Sequence, residues 1–372
     1  MITGRAAADG SPTQFKVFDT DVHHGPWRTE SLFPYLSEVH ADRLEHYGFG
    51  GGGVSWAYNG GSQGYRTDII TDRGKKNYPG VVVPDPEVCR KELLDEAGVD
   101  IALLVGGGGE GIATAGPDVA YTNALLRAFN DYSVAEWLTV DDRFRLAIAV
   151  NPQDPQNAAD EIDRLGGHDQ VISIILPCGS QRPYGHPFYK PLHEACVRNN
   201  LAITLHFGAE GSGVNPQPSA AGYPTSYVQS RLLRPAFYKP HLASFVFDGV
   251  FEEFPTLKVG MIETGIAWAP SFLWLMDQNW KALRPQVPWV KRPPSEYVRE
   301  NVKFCSQPLD DPEPKDGMAK TLEWLDGEHT VMFSSDYPHF DWDEPQETFK
   351  TMPDEFRRRL LWDNAAELYG VA

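Results

Sequence analysis

The sequence predicts a parallel α/β barrel of the (β/α)8, or TIM, type. Three observations carry that prediction: eight short β-rich apolar runs, helical stretches between them, and a length of 372 residues, which such barrels commonly reach with insertions. The eight runs are residues 15–18, 101–105, 144–150, 171–176, 202–205, 258–262, 302–304 and 331–333.

The intervals support the count in order. Residues 118–138 carry apolar side chains at helical spacing. Residues 155–165 open on a proline and end before Gly166-Gly167, and residues 188–199 run into the strand LAITL. A further helix is expected over 241–254, stopped by Pro255 and followed by LKVGMI. Residues 1–14 read as a flexible N-terminal segment and 15–372 as one domain. Two stretches rich in Gly and aromatic residues, 45–80 and 208–240, do not fit the repeat and are expected as loop insertions over the C-terminal face of the barrel.

Composition excludes several classes. A formal net charge of −18, with no basic stripe, argues against a nucleic-acid partner. No run approaches the eighteen or so apolar residues of a membrane span, and the first fifteen residues lack the apolar core of a secretory signal, so a cytoplasmic, non-membrane protein is expected. Cys89, Cys178, Cys196 and Cys305 form no CxxC pair and read as reduced, packed thiols.

Barrels of this kind work at the C-terminal ends of their strands. The first run leads into Asp19-Thr20-Asp21-Val22-His23, where alternation lets Asp19, Asp21 and His23 face one way while His24 points elsewhere. The fifth ends at His206, before Phe207-Gly208, and the eighth is followed by Asp336 and His339 in FSSDYPH. Taken singly these residues are ambiguous: strand ends carry acidic turns and caps, and a lone histidine is commonly structural. Carboxylates and imidazoles gathered at strand ends of one barrel are a donor set for a divalent cation.

The order DxDxH, LHFG, GVFEEFPTLKVGMIETGIAWAP and FSSDYPH, spanning about residues 15–369, resembles the amidohydrolase superfamily. The resemblance is to its amidohydrolase-related branch, which holds metal-dependent hydrolases and non-oxidative decarboxylases of the aminocarboxymuconate semialdehyde type. It implies one divalent ion, zinc first with manganese or iron as alternatives, on Asp21, His23, His206 and Asp336. It also implies a small-molecule substrate and a homodimer.

Two departures stand out: Asp21 lies where many relatives have His or Glu, and Glu263 where the semialdehyde decarboxylase has His. Glu263 reads as a fifth ligand, an acid/base group or a partner orienting His206. His241 reads as facing the site or as a structural histidine, and His339 as contacting substrate or locking its turn. Arg66, Arg182 and Arg234 are candidate carboxylate anchors in loops.

These departures place first the hydrolysis of a small organic substrate, aromatic compounds included, by metal-activated water, with catalytic roles for Asp336, Glu263, His241 and His339. Metal-dependent decarboxylation of a small aromatic or enoic acid is the alternative, and a non-catalytic metal-binding scaffold a further one.

Overall fold

The computed structural model describes residues 15–26, 28–48, 85–106, 114–310, 312, 316–339 and 342–371. The expected N-terminal segment, Arg66 and nearly all of the first insertion lie outside the described residues.

Eight parallel strands follow one another in sheet order: β1 (Phe18–Val22), β2 (Ile101–Leu104), β3 (Phe144–Ala149), β4 (Val171–Pro177), β5 (Ala202–His206), β6 (Val259–Met261), β7 (Val302–Cys305) and β8 (Val331–Met332). The last strand returns to the first. Thr20 N–H donates to Phe333 O at 3.2 Å, Asp336 N–H to Asp21 O at 3.1 Å, and His23 N–H to Tyr337 O at 2.9 Å. Helices lie between the strands, as in a (β/α)8 barrel.

Seven strands start within one residue of the expected position. β1 is the exception: it begins at Phe18, where the apolar run was expected to end, and continues through Asp19, Thr20 and Asp21, all fully buried. An apolar-run criterion stops there because these buried side chains are polar.

Helix starts follow local capping. Pro155–Leu165 opens with the Asp154 carboxylate accepting Asn157 N–H at 3.2 Å, and Val119–Tyr132 with Asp118 accepting Tyr121 N–H at 3.1 Å. The helix expected from residue 241 instead spans Arg234–Phe247, with Pro240 inside it, and a separate turn covers Val250–Glu253. Arg234, Phe237, Tyr238, His241, Leu242 and Phe245 recur at helical spacing and are buried, so packing of that face outweighs the backbone bond Pro240 cannot make.

Of the second insertion, residues 208–226 lack regular structure and reach the segments that follow β2 and β4. Val214 N–H reaches Ala115 O beyond β2, and Asn215 Nδ2 donates to Gly179 O beyond β4 and to Ala209 O. The approach is close: a Cβ on Gly213 would lie 1.9 Å from Ala115 O, and one on Gly179 2.2 Å from the Ala209 carbonyl carbon. At the opposite end, Tyr369 of the helix Asn364–Tyr369 sends its hydroxyl to Thr204 Oγ1 at 3.1 Å, beside Ser173. All four cysteines are buried free thiols, and among the described residues no helix is long and apolar enough to cross a membrane.

Candidate metal centre

The segment that leaves β1 is anchored on one residue, Gly106. His23 Nδ1–H donates to Gly106 O at 2.8 Å, while Gly106 N–H donates to His24 Nδ1 at 2.9 Å. His24 Nε2–H then reaches Ser133 Oγ at 2.9 Å, and that hydroxyl donates to Phe129 O. Buried between Phe129 and Trp137, His24 is pushed down to about 3 and stays neutral. His24 therefore points away from the mouth yet steadies the carbonyl that orients His23.

With its Nδ1 proton given to Gly106 O, a neutral His23 presents a lone pair at Nε2. That nitrogen faces Asp336 Oδ1 at 2.9 Å and Asp21 Oδ1 at 3.6 Å, all acceptors. His206 repeats the arrangement: Nδ1–H goes to Phe207 O at 2.6 Å, leaving Nε2 3.5 Å from both Asp21 Oδ1 and Glu263 Oε2. Among the described residues both Asp21 carboxylate oxygens, Asp336 Oδ2 and His206 Nε2 are buried without a hydrogen-bond partner. Acceptors facing acceptors in a buried space need a proton or a cation between them. Burial alone would depress His206, but Asp21 and Glu263 push it up to about 10, the same demand met by a proton.

The expected residues fall into two overlapping donor groups, Asp21–His23–His206 and His23–Asp336–His339, each with its ligand atoms within 4.8 Å of one another. His339 Nδ1 lies 2.7 Å from Asp336 Oδ1, and its ring sits 4.2 Å from that of His23. Burial would raise Asp336, but His339 and His23 hold it well below the usual carboxylate range. Both Asp336 and Glu263 adopt positive φ, 65° and 56°, a region costly for such residues and concentrated at functional sites.

Glu263 stands at the edge of this cluster. Its Oε1 is ion-paired with Arg234, its Oε2 faces His206, and its N–H reaches Cys305 Sγ at 2.9 Å. Burial raises its pKa, opposed chiefly by Arg234. Arg234, expected in a loop, opens the helix Arg234–Phe247, is 3% exposed and lies 4.9 Å over the Phe207 ring. Arg182 is exposed and stacks on Phe188.

His241 is not brought to the cluster. Its Nδ1 accepts Tyr184 N–H at 3.2 Å, its Nε2–H donates to Cys178 O at 2.9 Å, and it stacks on Tyr184. Asp19 shares a face with Asp21 but bonds to Ser335. Sequence reasoning passed over Gly106, Ser335 and Cys305, whose roles depend on pairings between strands that no local motif records.

Known proteins resemble this chain in sequence and in fold. The gamma-resorcylate decarboxylase of Polaromonas sp. strain JS666 is 25% identical over 303 residues, covering 75% of this chain and 86% of that one. Among solved structures, an amidohydrolase from Mycobacterium avium subsp. paratuberculosis aligns with a TM-score of 0.71 at 19% identity, over 96% of this chain and 100% of the other. The 5-carboxyvanillate decarboxylase of Novosphingobium aromaticivorans, solved with manganese and 4-hydroxy-3-methoxy-5-nitrobenzoic acid, gives 0.66 at 18% identity over 96% of each chain. At such identities the structures speak to the fold. The family model described as Amidohydrolase matches residues 90–371, which include His206, Glu263 and Asp336 but begin after Asp21 and His23. That match runs over well more than half of the sequence and takes in seven of the eight strands, and the chain belongs to the amidohydrolase family.

Proposed function

We propose that this chain is a metal-dependent, non-oxidative decarboxylase of a hydroxylated aromatic acid. The observation that carries the metal reading is the pair of imidazole lone pairs, on His23 and His206, fixed by carbonyl groups to face the Asp21 and Asp336 carboxylates. Decarboxylation, the second choice from sequence, moves ahead of hydrolysis because the curated relatives matched are gamma-resorcylate decarboxylases. Manganese stands beside zinc as the ion, since a relative of this fold was solved with manganese. Two imidazoles and two carboxylates accommodate either.

A bound cation would supply positive charge to orient an anionic substrate, and Asp21, His23, His206 and Asp336 would hold it. The chain's own part in the reaction is proton delivery and exclusion of water. Replacing the carboxyl group by hydrogen requires a proton at the ring carbon, and His339, whose Nδ1 lies 2.7 Å from Asp336 Oδ1, would supply it when protonated. Glu263, held by Arg234, offers an acceptor that suits a substrate hydroxyl and repels a second carboxylate. The 208–226 segment, which reaches the segments that follow β2 and β4, would cover part of the mouth.

The test uses protein loaded with manganese or zinc and a panel of hydroxybenzoic acids in D2O. Release of carbon dioxide without oxygen uptake, with one deuterium on the product ring, is expected. His206→Ala and Asp336→Ala are expected to lose both metal and turnover. Ester or amide cleavage with solvent oxygen in the product, and no carbon dioxide, would return the assignment to a hydrolase. Folded wild-type protein that takes up no divalent ion would remove both chemistries.

A further inference from the structure

Asp19 is a fully buried carboxylate to which the reading above gives no task. It lies two residues before Asp21 on β1, on the same face and about 7 Å deeper along the strand at the usual rise. Its Oδ1 accepts Asp21 N–H at 3.2 Å and Ser335 N–H at 2.9 Å, and its Oδ2 accepts the Ser335 hydroxyl at 2.5 Å. Ser335 Oγ in turn accepts Tyr337 N–H at 3.0 Å.

One side chain thus fastens the backbone at residue 21 and, through Ser335, the residues on both sides of Asp336. Regular pairing does not suffice there. β8 ends at Met332, and Asp336 is held at a φ of 65°, a conformation that must be imposed by its surroundings. The two ligand-bearing segments touch through an isolated bridge outside the regular ladder, with Asp336 N–H to Asp21 O at 3.1 Å and His23 N–H to Tyr337 O at 2.9 Å, next to the Asp19 bonds.

We propose that Asp19, acting through Ser335, is the positioning residue that sets the separation of Asp336 from Asp21 and His23, and with it the affinity of the centre for its cation. This rests on the reading of the centre as a metal site. A side chain that merely glued the barrel shut would change stability and leave the affinity of the folded protein alone. Groups that orient metal ligands typically change metal affinity by about 10–100-fold when removed.

The experiment is calorimetric titration of metal-free, folded protein with Mn2+, alongside urea unfolding of the same samples. Asp19→Ala is expected to weaken Mn2+ binding by about 10–100-fold. Ser335→Ala should weaken it in the same direction by less, because the Ser335 N–H bond remains. Asp19→Asn, which keeps an acceptor for the two N–H groups, should recover part of the loss. A Kd for Asp19→Ala within about twofold of the wild type would overturn the proposal, whatever its urea midpoint does. Should Asp19→Ala fail to fold, the same criterion applied to Ser335→Ala decides. Wild-type protein that binds no Mn2+ or Zn2+ overturns the metal reading and this inference together, whereas unchanged variants of a metal-binding wild type overturn this inference alone.

Discussion

Glu263 and Arg234 bury opposite charges against each other at 2% and 3% exposure, and each is costly without the other. Glu263→Ala takes away the carboxylate that the guanidinium faces and is expected to destabilise the protein by about 3–5 kcal/mol, read as a lower urea midpoint. Glu263→Gln keeps an acceptor and should cost clearly less; equal losses in the two variants would show that charge is not what the pair contributes. Only half of this pair was legible in the sequence. Glu263 follows an apolar strand and sits where the resembling decarboxylase has a histidine, so it was visible. Arg234 was noticed as a possible anchor but placed in a loop, because Pro240 hid the helix that carries it. The same limit applies to His24: alternation correctly turned it away from the mouth, while its hold on Gly106 depends on β2 lying alongside β1.

The segment after β4 is pinned by two histidines of different helices. His193, on Lys190–Arg198, donates from Nε2 to Tyr184 O at 2.8 Å, and His241, on Arg234–Phe247, accepts Tyr184 N–H. Burial pushes both down to about 4, against an ordinary value near 6.5. The unfolded chain therefore binds more protons between those values. The contribution of these neutral histidines is fully present above pH 6.5 and is lost as pH falls toward 4, by up to roughly 3 kcal/mol each. Urea midpoints measured from pH 7.5 to 4.5 should fall through that window, and His241→Gln should flatten the fall; an unchanged profile would show that other groups govern it. Elements were legible wherever local pattern suffices, as with Pro155–Leu165, found at its expected limits between a proline and a glycine. They were not where burial is polar: β1 was placed three residues early because its buried residues there are Asp19, Thr20 and Asp21.

At the scale of the molecule, the C-terminal helix closes the barrel floor. Tyr369 packs on Phe18 with ring centroids 5.7 Å apart, and its hydroxyl would lie 2.7 Å from a Cβ on Gly260. Tyr369→Ala is expected to cost about 3–5 kcal/mol by emptying that space, and Gly260→Ala about 1–3 kcal/mol by crowding it. Combining Gly260→Ala with Tyr369→Phe, which removes the clashing hydroxyl, should cost less than the two changes summed; strict additivity in chemical denaturation would mean that the two do not meet. The eight-strand plan itself was legible because the strands other than β1 are short, mainly apolar runs separated by helices, a pattern that needs no long-range knowledge.

In the proposed centre Asp21 stands on the first strand, His23 directly after it and Asp336 beyond the last, so the donors straddle the seam between chain segments more than 300 positions apart. During synthesis, a chain that has not yet emerged past that final aspartate holds at most a partial set of donors, and the cation has nowhere tight to settle. On the proposed function, metal capture would come after ring closure and favour the closed form by mass action. Uptake of the ion is in this sense a receipt for completed folding, and supplying or withholding manganese during refolding should change the yield of native protein rather than the speed of its early steps.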